Sequence, residues 1–232
     1  MTNKQAIHNS KHSTNNSPLA THNSPLINFA FTLAETLIVM GIIGVVAALT
    51  LPNLNSSTGE KEKVIKLQKI YSNLSDAVGR ASAIYGPPDE WPLFGPVGTG
   101  ERLIDFFKTS KVCGYPAGNC FANYLKYDSD MYAFITQDGA SIGVLPLFFY
   151  VDIDGPNKGP NTPGKDGFAF MYNSETAYTV APYGSIDFNS TLLTSGCFKK
   201  QDLNCTAWVV NMGNMDYLKC ADKLNANNTS CK

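Results

Sequence analysis

Residues 31–54 read FTLAETLIVMGIIGVVAALTLPNL, an apolar run in which Glu35 is the sole charge and the next charged residue is Glu60. As a helix rising about 1.5 Å per residue, the run reaches roughly 36 Å, enough for a hydrocarbon core of about 30 Å. The stretch therefore predicts a helix that crosses a bilayer. A carboxylate inside such a helix costs on the order of 3 kcal/mol or more, so Glu35 needs a reason to be there. Two reasons are open: its side chain reaches the headgroups at the membrane boundary, or it serves a function inside the apolar layer.

Upstream, residues 1–30 are rich in Asn, Ser, Thr and His, with Lys4 and Lys11 as the only fixed charges. They show no apolar periodicity and read as a leader without a core of its own. Downstream, a short polar joint (NSSTG, 55–59) is followed by Val64, Leu67, Ile70, Tyr71, Leu74, Ala77, Val78, Ala81 and Ile84. Spacings of three and four describe one face of an amphipathic helix. Glu60 and Glu62 precede Lys63, Lys66 and Lys69, the order that suits the helix dipole, and Gly86-Pro87-Pro88 supplies a stop.

Ala30 followed by FTLAE and a long apolar run resembles the processing site of type IV prepilins and of the pseudopilins of type II secretion. The resemblance implies cleavage of the Ala30–Phe31 bond by a prepilin peptidase and N-methylation of Phe31. Glu35, fifth after the cut, would face the freed amine of a neighbouring subunit, where opposite charges in a low-dielectric filament core offset each other's desolvation and fix register. Gly44 and Pro52 fall where pilin helices carry helix-loosening residues, whereas Ala30 stands where the family's usual residue is Gly. The implied organisation is a leader (1–30), a transmembrane and assembly helix (31–54), its amphipathic continuation (55–85) and a periplasmic or extracellular head (86–232). The implied partners are other pilin or pseudopilin subunits, the peptidase, an inner-membrane assembly platform and membrane lipid. The implied location is a single pass through a bacterial inner membrane, then an extracellular filament. The competing expectation is a secretory signal peptide cut after Ala48, with Val46 and Ala48 as its small residues, which leaves Glu35 without a role.

Composition narrows the field further. A formal charge of -1 with 16% charged residues and no basic cluster gives no footprint for nucleic acid. The three histidines, His8, His12 and His22, all lie in the leader, so the processed chain would have none for a catalytic triad, a Cys-His dyad or a zinc site. No phosphate loop or nucleophile-base motif appears, and an enzyme is not expected. Six cysteines, all beyond the apolar segment, suit an oxidising compartment. The simplest pairing joins sequence neighbours: Cys113 with Cys120, Cys197 with Cys205, Cys220 with Cys231.

For the head, the sequence predicts a short helix over 101–108 and then strands. MYAFITQ (131–137) alternates, Asp138-Gly139 makes a hairpin turn, and SIGVLPLFFYVDI (141–153) returns with Pro146 marking an edge or a bulge. Third and fourth strands are expected over 168–173 and 177–182. The fold class is α+β: a long N-terminal helix, transmembrane then amphipathic, packed on a small antiparallel sheet, with a disulfide-stapled C-terminal region. The loop DIDGPNKGPNTPGKDG (152–167) sets Asp152, Asp154 and Asp166 on a Gly-rich connection, hard oxygen ligands suited to Ca2+ but without the spacing of an EF-hand. Its plainer reading is a rigid Pro/Gly turn. Trp208 reads either as a surface anchor for a partner or as core. The expected function is a structural filament subunit, major or minor; its rivals are a tip adhesin or substrate-binding minor pilin, and a lone membrane-anchored binding domain.

Overall fold

The computed structural model describes residues 32–91, 96–121, 130–159, 161–173 and 178–231, the side chains of 47–58 and of residue 96 excepted. The chain divides into two units, one up to Ala48 and one from Leu49 onward. Helix α1 (Leu33–Tyr85) includes the predicted polar joint, so 55–59 is helical rather than a break.

In the second unit α1 does what its spacing dictates. Val64, Leu67, Ile70, Leu74, Ala77, Val78 and Ala81 are buried in one core with the sheet. Tyr71, on the flank of that stripe, stacks on Phe170 at 5.5 Å and donates its hydroxyl to the Val180 carbonyl. Ile84 departs from the expected face: it lies in the final turn beyond the last buried position and is exposed. Gly86 then takes φ +79°, a conformation glycine adopts without steric cost, and Trp91 Nε1 closes the corner on its carbonyl at 2.6 Å.

The sheet has six antiparallel strands among the described residues, in sequence order: β1 (Thr109–Gly114), β2 (Tyr132–Thr136), β3 (Ser141–Val144), β4 (Phe148–Asp152), β5 (Gly167–Asn173) and β6 (Thr179–Pro182). Its register places Phe134, Ile142, Val151 and Phe168 in one row, all essentially without exposure. Because strand side chains alternate, the neighbouring row (Ile135, Ser141, Asp152, Gly167) faces the other way. The fold is thus α+β, with two strands more than expected. One is β1, an edge strand with two register shifts. The other arises because the segment 141–153 is not one strand: Leu145 N donates to Phe148 O at 2.8 Å, so Pro146 sits in a turn between β3 and β4. The expected helix over 101–108 is observed earlier, as α2 (Pro96–Ile104), opening on a proline whose missing N–H is harmless in a first turn.

All three sequence-neighbour disulfides are present: Cys113–Cys120, Cys197–Cys205 and Cys220–Cys231. Helices α3 (Cys205–Met212) and α4 (Tyr217–Cys220) fill the C-terminal region. Trp208 is fully buried on α3, edge-on to Phe198 at 5.0 Å, and donates Nε1 to Asn214. It is a core residue and not a surface anchor. Thr206 Oγ1 accepts the Ala169 N–H and ties α3 to β5.

Candidate functional site

Two places hold chemistry that packing alone does not require. The first is the start of α1. Ala30 and Phe31 lie outside the described residues. Thr32 stands just before the helix, and its N–H and hydroxyl both donate to Glu35 Oε2, at 2.9 and 3.0 Å. The Glu35 N–H returns a bond to Thr32 Oγ1 at 3.2 Å. This is a reciprocal capping box, in which a threonine and a glutamate three residues on satisfy backbone donors that the helix leaves open. The sequence signal for it is Thr-x-x-Glu at 32–35. Within a single chain, then, the Glu35 carboxylate already has a local partner.

Past the cap, Leu33, Leu37, Ile38, Val39, Met40, Ile42, Ile43, Val45 and Val46 are all exposed. Gly44 is helical, with nothing near the position a Cβ would occupy, and Pro52 falls within α1. Among the described residues no helix is long and apolar enough to cross a membrane. The side chains of 47–58, which include the end of the expected span, lie outside the described residues.

The second place is the β4–β5 loop. Asp152, the last residue of β4, and Asp166, just before β5, are both fully buried. They play different parts. Asp166 is engaged by the loop backbone: Asn161 N–H donates to Oδ2 at 2.9 Å and Thr162 N–H donates to Oδ1. Asp152 Oδ1 accepts the Gly155 N–H at 3.0 Å. Gly155 has φ +83°, and a Cβ there would stand 2.5 Å from the Gly139 carbonyl, so only glycine fits this corner. One terminal atom of the Asn161 amide lies 2.8 Å from the Lys158 carbonyl oxygen and 3.0 Å from Asp152 Oδ2. Turned nitrogen-inward, the amide donates to both.

Asp154 bridges loop and helix. Its Oδ2 lies 3.9 Å from Lys63 Nζ of α1, which also donates to the Lys165 carbonyl at 3.4 Å, while its Oδ1 is buried with no hydrogen-bond partner. Burial pushes the Asp152 carboxyl up to about 7, helped by a hydrogen bond with the Asp154 carboxyl and by the charges of Asp154 and Asp166. Of the three acids expected as ligands, Asp166 is taken up by backbone donors while Asp152 and Asp154 face each other, and among the described residues no three His, Cys, Asp or Glu side chains group to hold a metal ion. Sequence reasoning also missed Ser141. It is fully buried, its hydroxyl has no hydrogen-bond partner, and it lies directly across from Asp152 on the neighbouring strand. The signal, a serine in a strand of otherwise apolar residues, does not by itself reveal which loop it faces.

Compared with protein-family models, curated proteins and solved structures, the chain matches none of them.

Proposed function

We propose that this chain is a type IV pilin-like subunit, processed at Ala30–Phe31, held by residues 31–54 in a bacterial inner membrane, and working by assembly into a filament with other pilin or pseudopilin subunits rather than by catalysis. The observation that carries the reading is the lone charge of Glu35 at the head of an otherwise uncharged run whose apolar side chains, Leu33 to Val46, are exposed all round the helix. A helix apolar on every side is stable in lipid or among other helices and is a liability in water. A carboxylate there is retained at a cost, and setting register against a partner charge is a well-attested use of such a group. The capping box refines the mechanism. Glu35 is held by Thr32 in the isolated chain and would exchange part of that bonding for the Phe31 amine of an adjacent subunit.

The test is Glu35→Ala in the native host. Loss of filament incorporation, with membrane insertion and head melting unchanged, is the expected result. Normal incorporation would point instead to a lone membrane-anchored domain.

A further inference from the structure

We propose that Asn189 is a glycan acceptor, its side-chain amide presented by the Asn189-Ser190-Thr191 turn of the head for transfer of a sugar chain from a lipid-linked donor. The inference requires only export of the head to an oxidising compartment, to which its three disulfides point. It stands whether or not the chain assembles.

Asn-x-Ser/Thr triplets, the acceptor pattern of exported proteins, begin beyond residue 31 at Asn55, Asn73, Asn189, Asn204, Asn227 and Asn228. The side chain of Asn55 lies outside the described residues. The others differ in whether the amide can be reached and whether the folded head could carry a bulky chain there. Asn73 sits in the middle of α1, next to the fully buried Leu74, and the Ser75 hydroxyl that completes its triplet is buried. At Asn204 the amide donates to Asp202 at 2.7 Å, Cys205 is tied in a disulfide, and the Thr206 hydroxyl is engaged by the Leu203 carbonyl and the Ala169 N–H. Asn227 and Asn228 lie inside the loop closed by Cys220–Cys231. There Asn225 and Asn228 exchange backbone hydrogen bonds at 3.0 Å, and the Asn228 amide donates to the Lys223 carbonyl at 3.4 Å or less.

Asn189 differs on each count. Phe188 pins the turn to the core, edge-on to Trp208 at 5.9 Å, while Asp187, Asn189 and Thr191 around it are exposed. Asp187 shapes the turn: its Oδ1 accepts the Asn189 N–H and its carbonyl accepts the Ser190 N–H, both at 2.9 Å. The exposed carboxylate also offers a transferase an acidic group to read two residues before the acceptor, a contact that complementary charge would favour. A second observation comes from the flanks. Ile186 and Leu192, which bracket the triplet, are large apolar side chains left exposed, and a solubilising sugar chain on Asn189 would cover them.

The transfer is a substitution without change of oxidation state. Asn189 Nδ2 bonds to the anomeric carbon of a polyprenyl-diphosphate-linked sugar, and the bond from that carbon to the diphosphate oxygen breaks. One amide proton passes to a base of the transferase, and polyprenyl diphosphate leaves.

The experiment is peptide mapping by mass spectrometry, with fragmentation that retains sugars, on the full chain taken from its native host. The expected result is a peptide spanning 187–191 that is heavier by a sugar chain localised to Asn189. Asn189→Gln and Thr191→Ala should each lose that mass entirely, Thr191→Ser should keep it, and Asp187→Asn should lower its occupancy. These exposed positions should leave head melting within about 2 °C of the parent, so that loss of the sugar is not loss of the fold. The sugar should persist in Glu35→Ala, which separates this result from any failure of assembly. An unmodified Asn189 in the folded native protein would overturn the proposal. So would a sugar found on the Ser190 or Thr191 hydroxyl, or on Asn73, Asn204 or Asn227 with Asn189 bare.

Discussion

The two stretches of α1 at 33–46 and 64–81 hold similar numbers of apolar side chains and use them in opposite ways. Over 64–81 they recur at three and four residues, most positions between them are polar, with Ile65 an exposed exception, and the stripe is buried against the sheet. Over 33–46 they follow one another without a polar face and are exposed. The lesson is that periodicity, not apolar content, states where a helix finds its partner: a stripe implies a core within the same chain, whereas an unbroken coat implies a surrounding that the chain does not supply.

The sharpest way to break that comparison is to shave one side chain from each stretch. Leu67→Ala or Leu74→Ala, at positions with no exposure, should cost the head about 2–5 kcal/mol in denaturant unfolding. Leu37→Ala, exposed within the coat, should change head stability by less than about 0.5 kcal/mol. Equal losses at both places would mean that the coat has a partner inside the chain. A smaller effect is expected at the cap. Thr32→Ala removes a hydroxyl that both donates to and accepts from Glu35, and should destabilise the first turn by about 1 kcal/mol, read as faster amide exchange at residues 33–36 with unchanged melting of the head.

The smallest expected effect lies at the β2–β3 turn. Burial raises the Asp138 carboxyl, but hydrogen bonds from Thr136 and Lys69 and the charges of Lys69 and Lys66 outweigh it and leave it below its ordinary value. An acid depressed on folding contributes stability above its unfolded pKa of about 3.9, and that contribution is lost as pH falls through the folded value. Melting between about pH 5 and pH 2 should therefore fall less steeply for Asp138→Asn than for the parent chain. A steeper fall would show that the contacts with Lys69 and Thr136 do not matter in solution.

The legible parts were those in which one local signal decides. The stripe on α1, the Gly-Pro-Pro stop, the Asp138-Gly139 hairpin and the pairing of neighbouring cysteines each need only nearby residues. β1 was hidden because TSKVCG is mostly polar and its two register shifts break the alternation that marks a strand. The β3–β4 turn was hidden because SIGVLPLFFYVDI is rich in strand formers on both sides of Pro146, and proline is compatible with an edge as well as a turn. In the β4–β5 loop the acids were visible but their division of labour was not. Whether Asp166 faces a cation or a pair of backbone N–H groups depends on the path of 161–162, and Ser141 reaches the loop only through the register of β3 with β4. The capping box of Thr32 and Glu35 was readable as Thr-x-x-Glu and was overshadowed by the apolar run around it.

The central claim is that the coat of 33–46 belongs to a processed, assembling N-terminus. Mass spectrometry of the N-terminal peptide from membrane-extracted native protein addresses it most directly. The account predicts a chain beginning with N-methylated Phe31. A chain that retains residues 1–30, or one that begins at Leu49 after a signal-peptidase cut, would contradict it.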